Sequence, residues 1–216
     1  MNRKERIARF KEIDIYPVTC QDLSNGRTDL DVLDGVLAGG ARVVQLREKH
    51  WEKRELYELG LEFRKKTLKY DALLIINDHL DIALALKADG VHLGQDDLPI
   101  KAAREIASEL LLGASSHSLK EAIQGETDGA DYVNIGPIFP TKTKDGLSRF
   151  LGPDAIREVE LRLNIPFTTM GGINERNIHE LLHAGARRVA MVTGIIQAPD
   201  IASRVRELRK IIRAYS

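Results

Sequence analysis

A short phrase recurs four times along the chain: a glycine, often an alanine, then a run rich in β-branched residues. It reads Gly39-Gly40-Ala41-Arg42-Val43-Val44, Asp89-Gly90-Val91-His92-Leu93, Gly129-Ala130-Asp131-Tyr132-Val133 and Gly185-Ala186-Arg187-Arg188-Val189. Apolar residues at helical spacing precede the copies, as Ile178, Leu181 and Leu182 precede Gly185. A glycine that closes a helix in left-handed backbone, followed by an apolar run, defines a unit of helix, glycine and buried strand. Completing the series predicts eight strands, near residues 13–19, 43–47, 73–77, 91–93, 112–115, 132–135, 166–170 and 189–192. Helices are expected to open near Asp29, Lys53, Leu80, Pro99, Leu119, Pro153, Glu175 and Asp200. Strands separated by helices pair in parallel through right-handed crossovers. An open doubly wound sheet is the alternative arrangement. Eight nearly equal units, with no GxGxxG after the first strand, favour closure into a single (β/α)8 TIM barrel. The charged segment 2–11 predicts an extra N-terminal helix, so that residues 1–12 precede a barrel of residues 13–216 in one domain.

Charge and cysteine content narrow the partners. Lys plus Arg and Asp plus Glu number 32 each, so no overall field draws the chain to nucleic acid or to an anionic membrane. No apolar run approaches the roughly 20 residues of a membrane span. The charged N-terminus, Met1 to Arg6, is followed by no apolar stretch of the kind a secretory signal carries. The single cysteine, Cys20, excludes an intramolecular disulfide and fits a reducing compartment. The expectation is a cytoplasmic protein with small-molecule partners, homo-oligomerisation being left open. An anionic ligand must then be held by a local cluster of basic groups.

In barrels of this kind chemistry sits on the loops that leave the C-terminal strand ends. The polar residues that break the strand pattern fall there: Gln45-Leu46-Arg47-Glu48-Lys49, Asn77-Asp78, Gly94-Gln95-Asp96-Asp97, Ser115-Ser116-His117-Ser118, the segment from Gly136 to Lys144, Gly171-Gly172-Ile173-Asn174 and Val192-Thr193-Gly194. The N-terminal strand ends carry only the Gly-Ala phrase. Arg47 and Lys49, two apart on one strand end, point the same way, and inside a barrel two cations need an anion. Asp78 and Asp97 leave neighbouring strands and can converge on a hard cation; Mg²⁺ commonly takes one or two carboxylates and completes its shell with water and phosphate oxygens. Asp96 is the expected helix cap of the two adjacent acids. Gly171-Gly172 allows close approach of an anion, with a helix expected to open at Asn174 and add its free N–H groups. Cys20 has no identifiable basic partner and is not expected to act as a nucleophile. His92 and His117 are expected to be interior hydrogen-bonding residues.

These segments, collinear from about Ile15 to Ile196, resemble those of thiamine-phosphate synthases. The most specific element is Gly136-Pro137-Ile138-Phe139-Pro140-Thr141-Lys142-Thr143-Lys144, read as Gly-Pro-x-Phe-x-Thr-x-Thr-Lys. The resemblance implies a transferase that joins a hydroxymethylpyrimidine diphosphate to a thiazole phosphate, releasing pyrophosphate and giving thiamine phosphate. It implies that Gln45, Leu46, Arg47, Glu48, Lys49, Asn77, Ser115 and Lys144 bind the pyrimidine diphosphate. Arg47, Lys49, Ser115 and Lys144 are the implied catalytic set. Thr141, Lys142, Thr143, Gly172, Val192 and Thr193 face the thiazole phosphate, and Asp78 and Asp97 carry Mg²⁺. The chain departs from the family pattern at Cys20, where an acid is common, at Thr168-Thr169-Met170, and at Thr193-Gly194.

A related barrel that isomerises a thiazole phosphate has no use for the combined Arg47, Lys49, Asp78, Asp97 and Lys144 set. A barrel that only senses a phosphorylated ligand has no use for metal-binding carboxylates, since it activates no leaving group. The segment 137–152 exceeds the few residues usual between strand and helix, and its polar content predicts a lid that closes over bound substrates.

Overall fold

A computed structural model describes residues 1–141 and 150–215 of the chain. The strands are β1 (Ile15–Pro17), β2 (Val43–Leu46), β3 (Leu73–Asn77), β4 (Gly90–Leu93), β5 (Leu111–Ser116), β6 (Tyr132–Ile135), β7 (Phe167–Thr169) and β8 (Val189–Met191). All pair in parallel, in the order β1-β8-β7-β6-β5-β4-β3-β2. A parallel bridge between Val18 and Gln45, with Thr19 N–H donating to Gln45 C=O at 3.0 Å, joins β1 to β2 and closes the ring. The chain is a (β/α)8 barrel, and the open doubly wound alternative is excluded.

The helices are α1 (Arg3–Lys11), α2 (Asp29–Ala38), α3 (Lys53–Lys69), α4 (Leu80–Ala85), α5 (Ile100–Ile106), α6 (Leu119–Thr127), α7 (Asp154–Arg162), α8 (Ile178–His183), α9 (Thr193–Ile196) and α10 (Ile201–Arg213). Local chemistry explains several starts. Thr28 and Asp31 form a reciprocal capping box at α2, and Asn2 and Glu5 form another at α1. Two details differ from the sequence reading. Short α9 has no counterpart in it, because four residues are too few to show a period. In the second copy of the phrase Gly90 lies inside β4, where an added Cβ would stand 2.6 Å from Leu111 O, and the left-handed turn is made by Lys87 at φ 49°. In the other three copies Gly40, Gly129 and Gly185 take the left-handed conformation as expected.

Alternation along the short strands separates two cores. Val44, Leu46, Leu74, Ile76, Val91, Leu112 and Val133 point outward and pack under the helices. Tyr16, Val43, Leu73, Ile75, Leu111 and Tyr132 fill the barrel interior with Phe10 of α1. Phe10 stacks on Tyr132 with ring centroids 4.1 Å apart, so α1 plugs the N-terminal mouth.

That mouth carries more than the Gly-Ala phrase. Asp14, Asp89 and Asp131 are buried there. Asp131 accepts from Leu112 N–H at 2.9 Å and pairs with Arg104 at 2.6 Å and Arg3 at 2.8 Å. Asp89 accepts from Leu74 N–H at 2.9 Å and pairs with Arg64 at 2.6 Å, while Asp14 pairs with Arg209 at 2.9 Å and Arg213 at 2.7 Å. Each carboxylate thus ties a strand end to surrounding helices. Removing one partner of such a buried pair leaves the others uncompensated, at a cost of about 3–5 kcal/mol. Asp131→Ala should lower stability by about that amount. Equilibrium denaturation measures it, and a loss within the roughly 0.5 kcal/mol typical of surface substitutions contradicts the anchoring role.

Candidate active site

At the C-terminal strand ends the interior opens into a cavity of about 170 Å³. Strand parity decides which residues reach it. Gln45, Arg47 and Lys49 line it, whereas Leu46 is fully buried in the outer core. Glu48 also turns away, is 5% exposed, and accepts from Gln21 N–H at 2.9 Å. The side chains of Leu46 and Glu48, expected at the pyrimidine diphosphate, therefore support the loop from behind.

Glu48 faces Asp29, the first residue of α2, which is 1% exposed. Neither Asp29 side-chain oxygen has a hydrogen-bond partner among the described residues. Burial, then the Glu48 charge and contact, push the Asp29 carboxyl up to about 8. The pair holds one proton between two acids at neutral pH. This pair escaped the sequence reading because Asp29 reads as an ordinary first-turn acid.

Asp78 sits in left-handed backbone at φ 61°, held by its N–H donating to His92 C=O at 2.9 Å. Lys49 Nζ lies 3.3 Å from its Oδ2, so one anion beside the strand 2 cations is this residue. Asp97 faces Asp78 and accepts from Gly94 N–H at 2.6 Å. Burial first, then Asp97, raise the proton affinity of Asp78, and Lys49 opposes both. Two facing carboxylates with excess affinity for positive charge fit the small number of protein ligands that Mg²⁺ takes. No cage of three or more His, Cys, Asp or Glu side chains is present among the described residues. Asp96 does not cap α5, whose N-cap is Pro99.

Asn77 and Ser115 both line the cavity. Ser115 Oγ lies 2.9 Å from Nε2 of His92, whose Nδ1 is 3.1 Å from the Tyr132 hydroxyl. That hydroxyl is 3.0 Å from the Tyr16 hydroxyl, to which Gln45 Nε2 donates at 2.9 Å. His92 is thus the interior hydrogen-bonding residue expected; burial pushes its ring down to about 4 and keeps it neutral. The link to Tyr16 and Tyr132 was not foreseen, although their alternation with outward residues marks both as interior. His117 stands at the rim, 3.2 Å from Glu121. Cys20 is half-buried, and burial, then Glu48, push its thiol up, which disfavours the thiolate.

Opposite these side chains Gly171, Gly172, Val192 and Thr193 form the other wall, beside Thr141. Gly171 and Gly172 have φ of +99° and +65°. The loop after β6 crosses directly over them: Ile138 and Phe139 N–H donate to Met170 and Gly171 C=O, each at 3.0 Å. A Cβ on Gly172 would stand 2.3 Å from Pro140 O. The glycine pair is therefore also a crossing point of two loops. Asn174 does not open a helix; its side chain accepts from Arg176 N–H at 2.9 Å, and α8 begins only at Ile178, capped at Asn177. The helix that starts at this wall is α9, directly after β8. Lys142, Thr143, Lys144 and most of the expected lid, residues 142–149, lie outside the described residues.

Comparison with known proteins agrees with this geometry. The family model for thiamine monophosphate synthase matches residues 15–195. The chain belongs to that family. It is 41% identical over 216 residues to the thiamine-phosphate synthase of Dictyoglomus thermophilum, covering 100% of this chain and 97% of the relative. It is 42% identical over 204 residues to that of Pyrococcus abyssi, covering 94% and 97%. The solved thiamine phosphate pyrophosphorylase from Pyrococcus furiosus superposes with a TM-score of 0.88 at 38% identity, over 96% of this chain and 98% of that one. A 3-hexulose-6-phosphate synthase structure, TM-score 0.67 at 17% identity over 92% and 99% of the two chains, shares the fold alone. The thiamine monophosphate synthase family member described here is an enzyme of the transferase class. No described helix is long and apolar enough to cross a membrane.

The Asp29–Glu48 proton has a measurable consequence. Because folding raises the Asp29 carboxyl to about 8, its contribution to stability is fully present below the ordinary carboxylate range. That contribution is lost as pH rises towards 8. Asn at this position cannot titrate. The stability of Asp29→Asn relative to the parent should therefore improve between pH 5 and pH 9 in denaturant unfolding. A difference that stays constant over that range contradicts the shared proton.

Proposed function

We propose that this thiamine monophosphate synthase family member couples 4-amino-2-methyl-5-hydroxymethylpyrimidine diphosphate to a thiazole phosphate, or to a carboxythiazole phosphate with loss of carbon dioxide, giving thiamine phosphate and pyrophosphate. The observation that carries this reading is the two-sided cavity. Cationic and carboxylate side chains of β2 to β5 stand on one wall, and backbone and hydroxyl groups of β7 and β8 stand on the other.

On the first wall Gln45 orients the pyrimidine, and Arg47, Lys49 and Asn77 hold its diphosphate, with Ser115 donating nearby. Through sequence alone, Lys144 belongs with the diphosphate and Lys142 with the thiazole phosphate. Asp78 and Asp97 would hold Mg²⁺, which when bound would supply neutralisation of charge on the diphosphate. On the second wall Gly172, Val192 and Thr193 take the thiazole phosphate through backbone and hydroxyl groups, beside Thr141 and Thr143. Loops after strands 7 and 8 with a short extra helix are the usual phosphate position in this fold.

The coupling asks for alignment and charge stabilisation rather than a covalent nucleophile. The carbon–oxygen bond of the pyrimidine methylene breaks, the diphosphate leaves with the electron pair, and the thiazole nitrogen lone pair forms the new carbon–nitrogen bond. Arg47 and Lys49 stabilise the departing charge, and the pyrimidinylmethyl cation left behind is captured by the aligned thiazole nitrogen. The reaction acts on small molecules only and suits a cytoplasmic enzyme.

Incubation of the protein with both substrates and Mg²⁺ should yield thiamine phosphate by mass detection. Arg47→Ala should lower turnover by roughly 10²-fold, the scale of one lost transition-state donor, with little change in KM for the thiazole phosphate. Full activity of Asp78→Ala with metal chelated sinks this assignment.

A further inference from the structure

Gln45 and Ser115 stand on β2 and β5, yet the barrel interior connects them through an unbroken line of hydrogen bonds. The line runs Gln45 Nε2 to Tyr16 Oη at 2.9 Å, Tyr16 to Tyr132 at 3.0 Å, Tyr132 to His92 Nδ1 at 3.1 Å, and His92 Nε2 to Ser115 Oγ at 2.9 Å. Each interior member has one proton to give along the line, so the protons have only two consistent orders. If the Gln45 amide donates to Tyr16, the Tyr16 proton goes to Tyr132. The Tyr132 proton then goes to His92 Nδ1, the neutral ring carries its proton on Nε2, and Ser115 accepts it. Ser115 then keeps its own proton for the cavity, and Gln45 shows the cavity its carbonyl. In the reverse order Gln45 shows its amino group and Ser115 a lone pair. A mixed order leaves two protons or two lone pairs facing each other among buried side chains, which is unfavourable.

We infer that Tyr16, Tyr132 and His92 are positioning residues that lock the Gln45 amide with its carbonyl towards the substrate and Ser115 as a donor, making the site selective for an amino-bearing over an oxo-bearing pyrimidine diphosphate. The inference rests on the function proposed above. The 4-amino group is a donor that meets the Gln45 carbonyl, whereas a 4-oxo group meets it lone pair to lone pair. Reading the amino group and presenting a proton to the leaving diphosphate are then one state of one wire. Tyr132 is the member to cut, since it touches neither Gln45 nor Ser115 and its ring is held independently. Phe10 stacks on it at 4.1 Å, and a Cβ on Gly113 would stand 2.1 Å from its Cζ, so the glycine makes the space it fills.

The test compares Tyr132→Phe with the parent on two probes, 4-amino- and 4-oxo-2-methyl-5-hydroxymethylpyrimidine diphosphate, each with the thiazole phosphate. The parent should prefer the amino probe, and Tyr132→Phe should reduce that kcat/KM ratio at least tenfold while leaving KM for the thiazole phosphate unchanged. A general loosening of the fold lowers both activities and leaves the ratio. An unchanged ratio in a folded Tyr132→Phe that still couples the amino probe overturns the wire. Absence of coupling by the parent itself overturns instead the proposed function. Nitrogen-15 NMR of His92 in the parent needs neither activity nor a folded variant. A proton on Nε2 with a bare Nδ1 is the expected tautomer, and a proton on Nδ1 overturns the proposed order.

Discussion

Because the sheet closes on itself, every strand has one parity that faces the helices and one that faces the barrel axis, and no residue escapes the choice. The strands are only three to six residues long, so each contributes at most three interior side chains. The interior column therefore grades within a few ångströms from Phe10, Val43 and Leu111 at the N-terminal mouth, through Tyr16 and Tyr132, to Gln45, Asn77 and Ser115 at the other. An apolar floor gives the polar roof a rigid base. It also makes the interior hydrogen bonds costly to leave unmade, because the groups that form them are buried.

The same constraint sets how acids behave at the two ends. Asp14, Asp89 and Asp131 at the N-terminal mouth are each matched by arginines from α1, α3, α5 or α10. Asp29 with Glu48, and Asp78 with Asp97, are placed acid against acid near the C-terminal mouth, and burial makes Asp29, Glu48 and Asp78 hold protons more tightly than usual. The first arrangement is finished and serves stability. The second is incomplete in charge, and each pair completes itself differently. Asp29 and Glu48 are sealed from solvent and keep a proton, whereas Asp78 borders the cavity and Lys49. Only the pair that a ligand can reach is of use to chemistry.

What the sequence disclosed follows from period and parity. Strand and helix order was legible because the repeating unit is local, and Gln45, Arg47 and Lys49 were legible because alternate residues share a face. Leu46 and Glu48 sit in the same motif but on the opposite parity, so motif membership alone overstated their role. Asn174 looks like a cap in sequence, yet its side chain closes a turn four residues before α8. Asp89 and Asp131 lay in plain view inside the repeated phrase, but their arginines come from 25 to 128 residues away, a separation no local pattern displays. The Tyr16–Tyr132–His92 line was hidden for the same reason: its members come from β1, β6 and β4 and meet only when the ring closes.

The two walls of the cavity consequently answer to different physics. On the β2 to β5 side the surface is made of side-chain donors and acceptors, of which Gln45 and Ser115 are hydrogen-bonded from beneath by Tyr16 and His92. A substitution there can exchange donor for acceptor while the backbone stays in place. On the β7 and β8 side, the surface is backbone pressed against backbone, where Gly172 has no room for a Cβ beneath Pro140 and Phe139. A substitution there has no alternative hydrogen-bond pattern to adopt; it displaces one of the two crossing loops. A wall of side chains is suited to telling a donor from an acceptor on a ligand, whereas a wall of backbone at a helix start is suited to meeting an anion with N–H groups.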